Sequence, residues 1–331
     1  MLKVLDEAIK NNFCNIAGVV VLKNNEKVYE NYFNECNANN RVHVYSVTKS
    51  VISILLGIAI DKGYIKGINE KILNFFPDYV VKKNEKLIQS VTIKDLITMT
   101  VPYKYKFVPY KYKFAPYTYI KYFMSDDWIN FSLNLIGGKS RIGDFKYAPL
   151  VGPDILSGIL VNSTGQSVLN FASENLFLPL GINVDKNIIF HSAKEQREFN
   201  KSKSISGWVS DSKGINSAGW GLTLSPIDMA KIGQLYLNGG LNNNNQIVSN
   251  QWVNDSTREH SRWNKFNLSY GYLWWIIDDK EKSCAAMGDG GNIIYFNSKK
   301  KMVVSIASFF IQNAKDRIDF IKNNIEPIFD K

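Results

Sequence analysis

The chain has 331 residues, 45% of them hydrophobic and 21% charged, with a formal net charge of +10. That mix excludes a chain disordered throughout, and the length suits one large domain or two interleaved ones. An excess of Lys and Arg would suit an acidic partner, but no run of five or more basic residues occurs, so the charge is read as dispersed.

Residues 2–12 are predicted as a short amphipathic helix. Ala17–Lys23 and Lys27–Phe33 are two β-rich runs around Asn24-Asn25, the pattern of a hairpin. From Val47 to Lys62 the residues Ile52, Leu55, Leu56, Ala59 and Ile60 recur at helical spacing, and Gly63 stands where a helix stop is expected. The apolar run Val51–Ile60 is about half the ~20 residues a membrane span needs, so no span is expected. The Met1–Glu7 start lacks a basic segment followed by an apolar one, so no signal peptide is visible and a cytoplasmic protein is the expectation.

Thr92–Met99 reads as a capped short helix. Beyond it Val101-Pro102-Tyr103-Lys104-Tyr105-Lys106-Phe107 is repeated unchanged at 108–114, and a partial third copy opens at Ala115-Pro116-Tyr117. Two copies are too few for a solenoid, so a duplication within a surface loop is the simplest account. Each copy alternates aromatic and Lys residues, giving an extended strand one aromatic and one basic face, and the odd repeat length flips those faces in the second copy. Residues 125–240 read as mainly helical, with helices over Asp154–Leu160, Val168–Phe177 and Asp228–Leu237. Three strands are predicted at Tyr270–Ile277, Asn292–Phe296 and Met302–Ala307, with a closing helix over 311–328. Strands at both ends with helices between suggest an α+β fold, an antiparallel sheet flanked by helices with an inserted helical domain. The expected division is a discontinuous sheet domain, 1–95 with 225–331, and a mainly helical domain, 96–224, carrying the 101–119 repeat loop. A site at their join follows naturally.

Ser46 and Lys49 form a Ser-x-x-Lys pair at a predicted helix start. Residues three apart share a helix face. A serine hydroxyl is a poor nucleophile until a base takes its proton, and a lysine becomes that base once burial and a positive helix N-terminus lower its pKa. The same N-terminus offers free N–H groups to a developing oxyanion. Alone, the pair also fits a capped helix with a solvated lysine.

In context the chain resembles the β-lactamase-related serine hydrolases: class C β-lactamases, D,D-peptidases, related esterases and the 6-aminohexanoate-dimer hydrolases, the last being nearest in pattern. The resemblance runs from about 15 to 310. It rests on Val44–Ser50, Val91–Met99, Asp126–Trp128, Phe145-Lys146-Tyr147, Pro179–Ile182, Gly219–Leu222 and Tyr270–Trp275, in that order. It implies Ser46 as nucleophile, Lys49 as base and Tyr147 as the phenol that relays a proton to the leaving group. It also sets Asp289-Gly290-Gly291 in place of the family's strand triad, and implies the backbone N–H of Asn292 as the oxyanion donor beside that of Ser46. Read without the family, Tyr147 is one of seventeen tyrosines, and Gly288–Gly291 is equally a tight turn between strands.

Three departures from the family pattern stand out. Pro149 replaces an Asn two residues after the Tyr. Asp289 leads the triad where relatives carry a cation or a neutral ring, and would repel a substrate carboxylate. The loop after Met99 runs through Thr100 into the duplication. The expected substrate is therefore a small molecule with a neutral ester or amide, or an amine-bearing oligomer, in preference to a penicillin or a D-Ala-D-Ala peptide. Two alternatives stay open: an inactive enzyme kept as a binding protein, and a polyanion-binding protein working through the basic aromatic repeat.

Cys14, Cys36 and Cys284 are too dispersed for a disulfide framework or a metal cluster, and His43, His191 and His260 for a metal site; only His43 falls near the pocket. Trp274 and Trp275 are expected as core on one side and pocket wall on the other. No P-loop or dinucleotide fingerprint occurs, so no cofactor is expected and no nucleic-acid partner.

Overall fold

Two lengths of chain far apart in sequence build one antiparallel sheet. A computed structural model describes residues 2–105 and 117–330. The strands are β1 (Ile16–Lys23), β2 (Glu26–Tyr32), β3 (Ser261–Trp263), β4 (Leu268–Tyr270), β5 (Trp275–Asp278), β6 (Ser283–Gly288), β7 (Asn292–Asn297) and β8 (Met302–Ser308). They lie in the order β2-β1-β8-β7-β6-β5-β4-β3. The first strand of the chain thus docks against the last, with Val20 opposite Ser305 and Val21 opposite Val304. The β1–β2 hairpin turns at Asn24 and Asn25, both at positive φ (53° and 67°), which the short Asn side chain tolerates.

Alternation along the strands gives the sheet two apolar faces. Val19, Val21, Ile293, Tyr295, Val304 and Ile306 point to an outer layer with Leu5 and Ile9 of α1 (Leu2–Asn12) and Phe320, Ile321 and Ile325 near the C-terminus. Ile294, Phe296, Val303 and Ala307 point to the larger inner core. There they meet α2 (Val47–Asp61) and a later helix, Pro226–Leu237. Every residue of α2 from Val47 to Ala59 is buried, so this helix runs through the core with no water-facing side.

Between β2 and β3 the helices besides α2 include α3 (Ile93–Ile97), α4 (Tyr117–Phe123), α5 (Trp128–Leu135), α6 (Asp154–Thr164), α7 (Ala193–Lys201) and α8 (Pro226–Leu237), with others at Val168–Ala172 and Asn250–Ser256. The predicted cap of α3 is a capping box between Thr92 and Asp95. No helix among the described residues is long and apolar enough to cross a membrane.

Several expectations change. The run 270–277 is two strands, because Leu273 turns at φ 61° and donates its N–H to the Ile97 carbonyl. β6 went unread, since Ser-Cys-Ala-Ala-Met-Gly lacks the β-branched residues that mark a strand. The closing helical stretch begins at Arg317 instead of 311. The first repeat copy is not a surface loop where it is described. Tyr103 and Tyr105 are buried, the Tyr105 hydroxyl donates to the Val151 carbonyl at 2.7 Å, and Lys104 faces outward to Glu85. This is the predicted division into aromatic and basic faces. The second copy, 108–114, lies outside the described residues.

Candidate active site

A two-residue strand, Val42–His43, pairs with Thr223–Leu224 and aims the chain at the start of α2. Tyr45 then takes φ 50°, a left-handed turn that a bulky residue adopts only when its surroundings hold it. Here its ring stacks on His43 at 3.8 Å, and its carbonyl accepts the Thr48 hydroxyl at 2.6 Å. Ser46 caps α2 but makes no side-chain bond to the helix N–H groups. Its Oγ instead meets Lys49 Nζ at 2.8 Å.

Lys49 is fully enclosed by the core. Its Nζ donates to the carbonyls of Pro149 and Gly219, both at 2.8 Å. Burial disfavours the ammonium and lowers the lysine from 10.5 to about 7, opposed in part by Asp289 and Asp154. In the neutral amine two N–H bonds satisfy the two carbonyls, and the lone pair faces the Ser46 hydroxyl. That is the orientation a general base needs.

The sequence-predicted Tyr147 stands beside Lys49. Lys49 Nζ lies 5.2 Å from its ring centre, and the Ser46 hydroxyl acts on its phenol, partly offsetting the effect of burial. Burial holds the phenol protonated, well above the usual tyrosine range. Trp275 backs the ring at 5.6 Å and Trp263 stacks on it at 6.2 Å. Trp275 therefore supports Tyr147 from behind, Trp274 is wholly buried, and neither lines the cavity at the serine.

That cavity, about 230 Å³, is lined by Ser46, Tyr45, Tyr119, Trp220, Asp289 and Phe310 among others. His43 also reaches it as a neutral ring. Its Nε2 accepts the Gly221 N–H at 2.9 Å, so the proton sits on Nδ1 facing Asn200, and burial lowers its pKa to about 3.

The β6–β7 connection brings part of the predicted triad to the site. A Cβ built on Gly288 would fall 2.2 Å from the Val44 carbonyl and 3.2 Å from the Ser46 nitrogen, so the backbone there lies directly against the turn that carries Ser46. Asp289 follows at the cavity wall; burial raises its carboxyl, and Lys49 draws it back. Gly290 and Gly291 turn the chain at φ 77° and 89°, conformations open to glycine. Gly290 approaches the Phe309 backbone and Gly291 the Arg317 guanidinium.

Asn292 is not among the described residues that line the cavity at the serine. It pairs with Gly288 across the hairpin, and its buried amide ties together the Asp289 and Ser308 carbonyls and the Ser308 N–H. It anchors the start of the strand, its amide also reaching the His43 carbonyl at 3.4 Å, and the backbone shown against the Ser46 nitrogen is that of Gly288.

Sequence reasoning missed Asp154. Buried at the start of α6, it accepts from Tyr122 at 2.6 Å, Ser217 at 3.0 Å and the Ala218 N–H at 2.8 Å, and burial raises its pKa to about 6. It thus fixes the segment that presents the Gly219 carbonyl to Lys49. An Asp at a helix start reads in sequence as a cap, and no local signal links it to residue 217.

Among the described residues no group of three or more His, Cys, Asp or Glu side chains could hold a metal ion. The serine, amine and phenol together can perform acyl transfer.

Solved structures with the same fold include a protein of Bacillus anthracis named as a candidate 6-aminohexanoate-dimer hydrolase. It is 20% identical, with a TM-score of 0.74 over 98% of this chain and 81% of that one. A penicillin-binding-protein homologue from Caulobacter crescentus is 13% identical, with a TM-score of 0.69 over 94% and 92% of the two chains. A family VIII carboxylesterase is 15% identical, with a TM-score of 0.68 over 95% and 94%. No curated protein matches the chain. The model of the Beta-lactamase family matches residues 12–317, and with this fold the chain belongs to that family.

Proposed function

We propose that the protein is a serine hydrolase that cleaves an ester or amide through an acyl-enzyme. Ser46 Oγ attacks the carbonyl carbon as the neutral Lys49 amine takes its proton. The backbone N–H groups of Ser46 and Asp289 hold the oxyanion. Tyr147 passes a proton to the leaving group, and the carbon–heteroatom bond breaks. A water molecule, deprotonated by the same groups, then attacks the acyl carbon and frees Ser46. No step calls for a cofactor.

One observation carries the reading: the Lys49 amine stands 2.8 Å from Ser46 Oγ with both its other directions occupied by carbonyls. Pro149, which departs from the family pattern, contributes one of those carbonyls, so the departure leaves the base's support intact. The carboxylesterase neighbour favours esters as the first substrates to try. A fluorophosphonate probe should label Ser46 and no other serine, and Ser46→Ala and Lys49→Met should each abolish labelling. Full esterase activity in folded Ser46→Ala would refute the proposal.

A further inference from the structure

Asp289 presents a carboxylate to the cavity beside Ser46, yet among the described residues it makes no side-chain hydrogen bond or ion pair. The positive group acting on it is Lys49, and a lysine working as base is neutral. With Lys49 neutral, the buried Asp289 carboxyl has no counter-charge among the described residues, an arrangement that a cation entering the cavity would complete.

The walls match that charge. Tyr45 lies 5.7 Å from Phe310, and Trp220 lies 5.7 Å from the neutral His43 ring, so the cavity wall is rich in aromatic rings of the kind that attract a cation. No Lys or Arg is among the described lining residues. The buried Tyr119 hydroxyl, on a residue 5% exposed, has no partner among the described residues, and the nearby Asp289 carboxyl helps to hold it protonated. The volume of about 230 Å³ is below the ~300–1,000 Å³ of sites for drug-sized ligands, which suits a small group.

We propose that this pocket binds an organic cation, the alkylammonium group of the substrate, between the Asp289 carboxylate and the rings of Tyr45, Tyr119 and Phe310. That the cation belongs to a substrate rests on the serine-hydrolase reading; the binding itself does not.

The test uses two alcohols of one shape, choline and its uncharged isostere 3,3-dimethyl-1-butanol, and their acetate esters. Dissociation constants are measured by calorimetry at pH 8 on the full chain and on Ser46→Ala. Choline should bind about tenfold or more tightly in both proteins, and Asp289→Asn should bring the two ligands within about twofold. Equal affinity in the unmodified chain overturns the proposal, whatever the variants do. A preference that survives in folded Asp289→Asn overturns it as well. Choline preference with neither ester hydrolysed upholds the pocket and removes the hydrolase reading. Hydrolysis of both esters without choline preference does the reverse.

Discussion

Lowering the pH from 8 to 6 takes Lys49 through its titration and should switch the serine off. With the amine at about 7, the neutral fraction falls from about nine-tenths to about one-tenth over that interval, so the acylation rate should drop about tenfold. Tyr147 stays protonated throughout, because burial pushes its phenol upward, so no alkaline limb is expected below pH 9. The assay is the rate of fluorophosphonate labelling, or the burst phase on a chromogenic ester, from pH 5 to 9.

The same shift carries a stability signature. A fall from 10.5 to about 7 amounts to roughly 5 kcal/mol against the charged amine in the fold. Between these two values the unfolded chain holds a proton that the folded chain has released, so stability rises with pH, by at most ~1.4 kcal/mol per pH unit. Below pH 7 both states are protonated and the penalty is complete. Lys49→Met removes it and should raise the midpoint of urea unfolding, most clearly at or below pH 7, while abolishing labelling. A labelling rate flat from pH 5 to 9, or a Lys49→Met protein less stable than its parent at pH 7, would refute the reasoning.

Tyr147→Phe removes the phenolic proton and keeps the ring between Lys49 and Trp275; kcat should fall ~10²–10⁴-fold with KM little changed, measured on a neutral ester. Asp154→Ala strands Tyr122, Ser217 and the Ala218 N–H in the core, and should cost about 3 kcal/mol in denaturant unfolding as well as slow labelling of Ser46. Gly288→Ala sets a methyl group 2.2 Å from the Val44 carbonyl; the circular dichroism spectrum should persist while labelling is lost, as the strand is pushed off the nucleophile's turn.

Where chemistry is written in near neighbours, the sequence disclosed it. Ser46 and Lys49 are one helical turn apart, and the Asn24-Asn25 hairpin and the Thr92 cap are equally local. Tyr147 needed the family pattern, because nothing around it distinguishes it from other tyrosines. The proposed oxyanion partner was harder still. Glycine at 288 to 291 announces a turn but not which peptide of that turn faces Ser46, and the distinction between Asp289 and Asn292 is a matter of hairpin register. Asp154 and the carbonyls of Pro149 and Gly219 were illegible, since backbone oxygens leave no residue signature and the partners of all three stand 32 to 170 positions away. The inward packing of Tyr103 and Tyr105 was hidden by the lysines between them.

The clamp on Lys49 has a bearing on how the molecule comes into being. Its two carbonyls lie 100 and 170 residues downstream of the amine, and the strand end that flanks Ser46 lies later still. A growing polypeptide therefore carries a dormant hydroxyl for most of its synthesis, with its lysine hydrated and cationic. On the proposed mechanism, reactivity switches on when the last of these distant segments arrives, so Ser46 is silent in fragments and in chains that stop short.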